Sequence, residues 1–288
     1  MTKGTAQLAC ALVILFAICL PYQHSYAGDK LVLAVHPFLP HQELEKKFGP
    51  LTKYLSKQIG KPVKLGIGAN YQEHIDYIGM DKVDIAYMGP ASYIKVTNTY
   101  GNKPVLAKLE VNGRSFFQGS IITRTDNKLS ELDQLKGKHI AFGDPNSTMS
   151  FIAPYSTLLK SGVFADGSTK YSFLHSHSNV ALAVLAGDFE AGAVKPDIYK
   201  KYAPQGLKVI AQTAKISEHL FITRANLPKS QVKSLRRAML EINQSPEGIQ
   251  ALHTIKTSIT NLVEVKNDEY ENLRVIMKEV ANATNPSK

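Results

Sequence analysis

From Lys30 onward the chain alternates short apolar runs with helical segments, and no other feature constrains its fold as strongly. Lys30–His36 (KLVLAVH) is a run of strand type. Gln42–Ile59 has a helical period: Leu44, Phe48, Leu51, Leu55 and Ile59 recur at spacings of three and four, and Gly60 stands where a C-terminal glycine belongs. Val63–Ile67 reads as a strand, Tyr71–Ile78 as a helix, Val83–Tyr87 as a strand, and Ala91–Tyr100 as a helix opened by Gly89-Pro90. Repetition of this kind predicts an α/β fold with a largely parallel sheet.

The pattern continues with strands at Phe117–Thr123, His139–Phe142, Tyr171–His175, Ala191–Val194, Lys208–Ala211 and Leu220–Thr223. Helices are expected from Ser130 (SELDQL), over Ser150–Ser161 and over Asn179–Ala186. Beyond Asn226-Leu227-Pro228 the rest reads as helical, over Gln231–Asn243, Ser245–Ile255 and Asn267–Ala283. No Pro/Ser/Gly linker and no internal repeat divides the chain. Two α/β blocks and a helical C-terminal tail fit two lobes, with the chain crossing between them at Phe116–Ser120 and Phe221–Arg224. That places residues 28–116 and 225–288 in lobe 1 and 117–224 in lobe 2. Ligands of open α/β sheets sit beyond the C-terminal ends of the strands. The loops to inspect are Pro37–His41, Gly68–Tyr71, Met88–Ser92, Gly143–Ser150 and His175–Asn179.

Residues 1–27 belong to a different regime. Leu8–Leu20 is an apolar run preceded by Lys3 and ended by Pro21, and Ser25-Tyr26-Ala27 supplies small residues before a cut after Ala27. This is the layout of a cleavable export signal, and the run is short for a spanning helix, which needs about 20 apolar residues. Both cysteines, Cys10 and Cys19, lie inside it. The exported chain is then cysteine-free, which excludes thiol catalysis, disulfides and Cys-ligated metal. Lys3 leaves as well, so the net charge falls from +10 to +9. A destination outside the cytoplasm argues against nucleic acid as a partner despite that charge.

Gly143-Asp144-Pro145-Asn146-Ser147-Thr148-Met149-Ser150 carries the most chemistry. Three hydroxyls gather where a helix begins, and such a terminus suits an anion because its N–H groups point outward and its dipole favours negative charge. An ordinary Ser/Thr cap gives the same pattern. Tyr87-Met88-Gly89-Pro90-Ala91-Ser92-Tyr93 is a second strand-to-helix turn, equally readable as plain turn chemistry. His175 and His177 would share a face if strand-like, as a metal pair or with His177 contacting an anion, but no third ligand stands at a confirming spacing. The sequence has no G-x-S-x-G elbow, no H-E-x-x-H and no phosphate loop of Walker type. A Ser147–His177 dyad has no support from spacing alone. The Lys-rich stretches read as solvated helix faces.

Three motifs give a family resemblance. Asp84–Tyr93 (DIAYMGPASY), Gly143–Thr148 followed by Pro154, and His177 through Ala181–Val184 to Glu190–Val194 resemble, in that order, segments of the phosphonate/phosphite/phosphate-binding proteins of ABC importers. The resemblance runs from about Leu31 to Leu227. It implies a two-lobed type II periplasmic-binding-protein fold, no cofactor, no enzymatic activity, a monomer, and delivery of a small phosphorus oxyanion to an ABC permease and its ATPase. It implies that Ser147, Thr148 and His177 hold the oxyanion, with Tyr71 contributing from the first lobe and Tyr87 and Met88 in the first motif. The family commonly has Ser-Thr-Ser-Gly where this chain has Ser147, Thr148, Met149 and Ser150. An aromatic hydroxyl near the crossover is replaced by Phe117, beside Gln118. Of two acids that hold an amine in aminophosphonate-binding relatives, one matches Asp197 and the other position is His219. A site of neutral donors without an Arg clamp is the expectation. Two rival readings are a ligand-sensing partner of a membrane receptor and a periplasmic phosphoester hydrolase using Ser147.

Overall fold

The computed structural model describes residues 30–285, so the export signal read at residues 1–27 lies outside the described residues. In chain order the first elements are β1 (Leu31–Val35), α1 (His41–Ile59), β2 (Val63–Ile67), α2 (Tyr71–Gly79), β3 (Ile85–Met88), α3 (Pro90–Tyr100) and β4 (Val105–Val111). Then follow β5 (Phe116–Phe117), β6 (Ser120–Arg124), β7 (His139–Phe142), a π-helical turn (Thr148–Ile152) running into α4 (Ala153–Lys160), β8 (Lys170–Phe173), α5 (His177–Ala186) and β9 (Ala191–Val194). The last are α6 (Pro196–Tyr202), β10 (Leu207–Gln212), β11 (Ile216–Ser217), β12 (Leu220–Thr223), α7 (Lys229–Leu240), α8 (Pro246–Ile255), β13 (Ile259–Val263) and α9 (Glu271–Thr284).

Two main sheets result, β13-β4-β12-β3-β1-β2 and β10-β6-β9-β7-β8, with the short pair β11-β5 between them in the chain path. This is the two-lobed type II periplasmic-binding fold. Both sheets are mixed rather than largely parallel. β1 pairs in parallel with β2 and β3, and β7 with β8 and β9, whereas β12, β4 and β13, and β6 and β10, run antiparallel.

Strand periodicity builds the layers. Successive residues of a strand face opposite sides. Leu31, Leu33 and Val35 of β1 and Ile85 and Tyr87 of β3 join one core with Leu44, Phe48, Leu51 and Leu55 of α1. Ala34, Ala86 and Met88 face the other side, with Ile75 and Ile78 of α2 and Ile94 of α3. The second sheet divides likewise: Ile140 and Phe142 go to one face and Ala141, with Val180 and Val184 of α5, to the other. Gly60, at φ 66, ends α1 in the left-handed conformation that glycine adopts without strain.

Several elements depart from the sequence reading. β4 and α6 were not expected at all. The tail is not wholly helical, because β13 adds an edge strand on β4. The expected strand Phe117–Thr123 is two strands: β5 pairs with β11, and β6 pairs with β9 and β10. The second crossing lies earlier than Phe221–Arg224, because Leu220–Thr223 is β12, seated between β3 and β4 in the six-stranded sheet. The chain therefore returns through β11. Helix α9 packs on both α3 and α4, so the tail touches helices of both sheets.

Candidate functional site

The six loops that follow β1, β2, β3, β7, β8 and β9 converge on one pocket between the two sheets. It is lined by His36 and Phe38 after β1, Tyr71 after β2, and Gly89 and Ser92 after β3. From the other sheet come Asn146–Met149 after β7, His177 after β8 and Lys195 after β9, with Phe117 and His219 beside the crossing strands. Four helices, α2, α3, α4 with its π turn, and α5, begin at this lining, so their positive ends face the cavity. The space open to the centre of a water-sized sphere is about 20 Å³. A single water needs roughly 10–15 Å³ by that measure, so the pocket has room for a compact ion.

Ser147 is the N-cap of the π turn: its Oγ accepts from Ser150 N at 3.2 Å. It stands 3.4 Å from His177 Nε2. The His177 tautomer follows from its other nitrogen. Lys195 N donates to His177 Nδ1 at 3.1 Å, so Nδ1 is bare and Nε2 carries the hydrogen. Burial, with the charges of Lys195 and His219 adding, holds His177 well below its usual pKa, so the ring is neutral. It can give a hydrogen bond to Ser147 or to an anion but cannot take the serine proton. The pair therefore lacks the base that nucleophilic catalysis requires.

Thr148 ties the two sheets together. Its Oγ1 accepts from Ala91 N, at the start of α3, at 2.9 Å, and its own hydrogen is left to donate. Lys95 of α3 reaches Asn146 Oδ1 beside it. Ser92 lines the pocket, but its Oγ is sealed from the cavity and has no hydrogen-bond partner among the described residues. Burial pushes the Tyr71 phenol well above its usual range, with the Asp144 charge adding and a hydrogen bond to Ser147 opposing. Tyr71 therefore keeps its proton.

Of the residues singled out from the sequence, the fold brings Ser147, Thr148, His177, Tyr71, Phe117 and His219 to the lining. It does not bring five others. Ser150 is fully buried, with Oγ accepting from Gly143 N at 2.8 Å and donating to Ala193 O at 2.6 Å, so its hydroxyl is spent on the loop. Gly143 is required for that approach, since a Cβ there would meet Ser150 Oγ at 2.6 Å. Gln118 donates to Thr213 O at 2.7 Å and ties the crossing strands. Tyr87 lies against both His36 and His219, ring centroids 5.5 and 5.3 Å away, and is not at the lining. Met88 is fully buried, its sulfur 3.0 Å from His74 Nε2. Asp197 pairs with Lys256 at 2.8 Å. His175 sits in a left-handed turn at φ 65, whereas His177 is the first residue of α5, so the two share no face.

The sequence reading missed Lys195, and with it the site is no longer one of neutral donors only. Its ammonium lies 4.2 Å above the Phe38 ring and has no carboxylate or hydrogen-bond partner among the described residues. Burial pushes its pKa down to about 8, Asp197 and Glu218 opposing and Lys256 and Lys47 adding. His36 was also missed, while Phe38, Ser92, Asn146 and Met149 lie in loops marked for inspection without being assigned to the ligand. Position after a parallel strand was the available signal for His36, Phe38 and Lys195.

Comparison with known proteins agrees with this geometry. A phosphate-import protein PhnD from Mycolicibacterium smegmatis is 30% identical over 175 residues, covering 57% of this chain and 54% of that protein. The phosphonates-binding periplasmic protein of Escherichia coli is 25% identical over 217 residues, 72% and 64% of the two chains. The matches thus span about half to two thirds of the relatives' length. In fold, PhnD1 from Prochlorococcus marinus in complex with methylphosphonate superposes with a TM-score of 0.79 at 21% identity, covering 87% of this chain and 98% of the other. The model of the phosphonate periplasmic substrate-binding proteins of ABC transporters matches residues 33–270, nearly the whole described chain and every strand that feeds the pocket, and the protein belongs to that family.

Proposed function

We propose that this protein captures a small phosphorus oxyanion (phosphonate, phosphite or phosphate) in the periplasm and hands it to an ABC permease and its ATPase. One observation carries the reading. Hydroxyls of Ser147 and Thr148, the Nε2–H of His177 and the ammonium of Lys195 converge on a cavity of oxyanion size where four helices begin. Hydrogen bonds to a charged group contribute about 1.5–3 kcal/mol each, so three or four account for a micromolar complex. Nothing in the arrangement supplies a base to Ser147, which favours a binder over a hydrolase. The donors come from both sheets, so ligand and lobe closure are coupled, and opening about the β5–β11 region releases the ion. The lobes we propose carry the six-stranded sheet in one and the five-stranded sheet in the other, meeting at residues 112–119 and 213–219.

The test is a thermal-shift series with phosphate, phosphite and methylphosphonate. At least one should stabilise the protein, and Ser147→Ala/Thr148→Ala should abolish most of the shift. A double variant with unchanged binding would overturn the site assignment.

A further inference from the structure

The donors described so far are matched, on the opposite wall, by ring nitrogens of the reverse polarity. His36 Nδ1 lies 3.3 Å from the Tyr87 carbonyl oxygen. A carbonyl oxygen only accepts, so Nδ1 carries the hydrogen and Nε2 of the neutral ring is a bare lone pair. The ring is neutral because burial holds its pKa well below the usual value. Its Nε2 has no hydrogen-bond partner among the described residues. The buried side-chain atoms sealed without a partner there are His74 Nδ1 and Ser92 Oγ, so His36 Nε2 opens on the cavity its ring lines. His219 repeats the arrangement. Its Nδ1 lies 3.1 Å from Glu218 Oε2, a carboxylate oxygen that only accepts, so a hydrogen sits on Nδ1 and Nε2 is the nitrogen turned away from that bond. That Nε2 points to the site: a Cβ added to Gly89 would stand 3.9 Å from both His219 Nε2 and Thr148 Oγ1.

A lone pair set against a fully deprotonated oxyanion meets another lone pair, and burying it so leaves an acceptor unpaired. Only a ligand that brings a hydrogen of its own satisfies it. We propose that His36, with His219 beside it, reads a P–OH group, so that the pocket selects tetrahedral phosphorus oxyanions that keep a proton and rejects sulfur oxyanions of the same shape, which keep none. This rests on the proposed function and adds the class that is excluded. It also assigns the two walls of the pocket. The Ser147–His177 side gives hydrogens to unprotonated oxygens, and the His36–His219 side receives the remaining one.

Methylphosphonate and methanesulfonate are near-isosteres, and at about pH 5.5 most of the phosphonate still carries its hydrogen, since a phosphoryl group's second pKa is near 6. Calorimetric titration of the purified protein with each gives a selectivity ratio. We expect methylphosphonate to bind at least about 50-fold more tightly, as sites built around a ligand hydroxyl reject analogues lacking it. His36→Phe keeps the aromatic packing against Phe38 and Tyr71 and leaves the Tyr87 carbonyl its bond from His74 Nε2 at 3.0 Å. It should lower the ratio about tenfold, while His36→Gln, which retains an acceptor, should keep most of it. His219→Phe provides the same reading at a less buried ring if His36→Phe does not fold. A wild-type ratio near one, or a ratio unchanged in both Phe variants, overturns the proposal and leaves the phosphorus-binding function standing. Binding of neither ligand, nor of phosphate or phosphite, removes both.

Discussion

The residue that most changes the chemistry of the pocket is Lys195, and its role is decided by where its ammonium lies. With a pKa near 8 it is charged at neutral pH and loses that charge as the pH rises past 8. Anion affinity should therefore weaken above pH 8. A bound anion favours the charged form and raises the pKa again, so binding at about pH 8.5 should take up a proton. Calorimetry in two buffers of different ionisation enthalpy reads that proton. In Lys195→Met the uptake should fall to what the ligand's own P–OH group takes up, and affinity at about pH 7 should fall tenfold or more, as for a lost charged hydrogen bond. An unchanged proton balance would show that Lys195 does not face the ligand. Ser147, Thr148 and His177 were legible in the sequence through the matched family motifs, since hydroxyls at a helix start alone fit an ordinary cap as well. Lys195 was not, because this basic chain has 34 Lys and Arg, and spacing does not distinguish the one that turns inward.

At the scale of elements, the strand-to-helix turn after β7 holds the site in place through Ser150 rather than offering it to ligand. Removing that hydroxyl leaves Gly143 N–H with only its longer bond to Ser150 O at 3.3 Å and takes a donor from Ala193 O, both in the interior. Ser150→Ala should cost about 1–3 kcal/mol of stability. Urea denaturation checks this, and the loss of affinity should be smaller than in the Ser147→Ala/Thr148→Ala variant. The turn itself begins at Thr148, two residues before the expected helix, and is π-helical, with Ile152 N bonded to Ser147 O at 3.1 Å. Elements that escaped the sequence reading have a common cause: their burial depends on partners far away in the chain. β4 carries Lys108 and Glu110 and looks like a surface segment, yet Lys108 is buried because Glu269 receives its ammonium. β13 exposes Thr260 and needs β4 beside it. Helix α6 has seven residues and buries Ile198 and Tyr202, too short a stretch to show a period.

Across the whole molecule, contacts between the halves surround the pocket. Lys256, at the end of α8, pairs with Asp197 at the start of α6, and Thr148 and Asn146 are bonded from α3. The sequence placed Asp197 against the ligand; the fold uses it to bridge the cleft. Both partners are about a third exposed, so the pair should contribute only about 0.2–1 kcal/mol to the closed state. A double-mutant cycle of Asp197→Asn and Lys256→Met on ligand affinity should return a coupling in that range that shrinks with salt. A coupling of several kcal/mol would instead place Asp197 at the ligand. Helix α9 adds a second bridge by packing on α3 and α4, with Ser156 and Lys160 of α4 meeting Glu279.

By itself the sequence determined the α/β character, most of the parallel strands, and the helix starts where an oxyanion can sit. These are local: a period of two or of about 3.6 and a capping residue are written within a dozen positions. Tertiary structure decided the rest. It placed the antiparallel strands and the return crossing, withdrew Ser150, Gln118 and Asp197 from the cavity, and turned Lys195 and His36 toward it. It also fixed which nitrogen of each histidine carries a hydrogen, because that depends on a backbone group, Lys195 N for His177 and Tyr87 O for His36, which only the packed chain brings within reach.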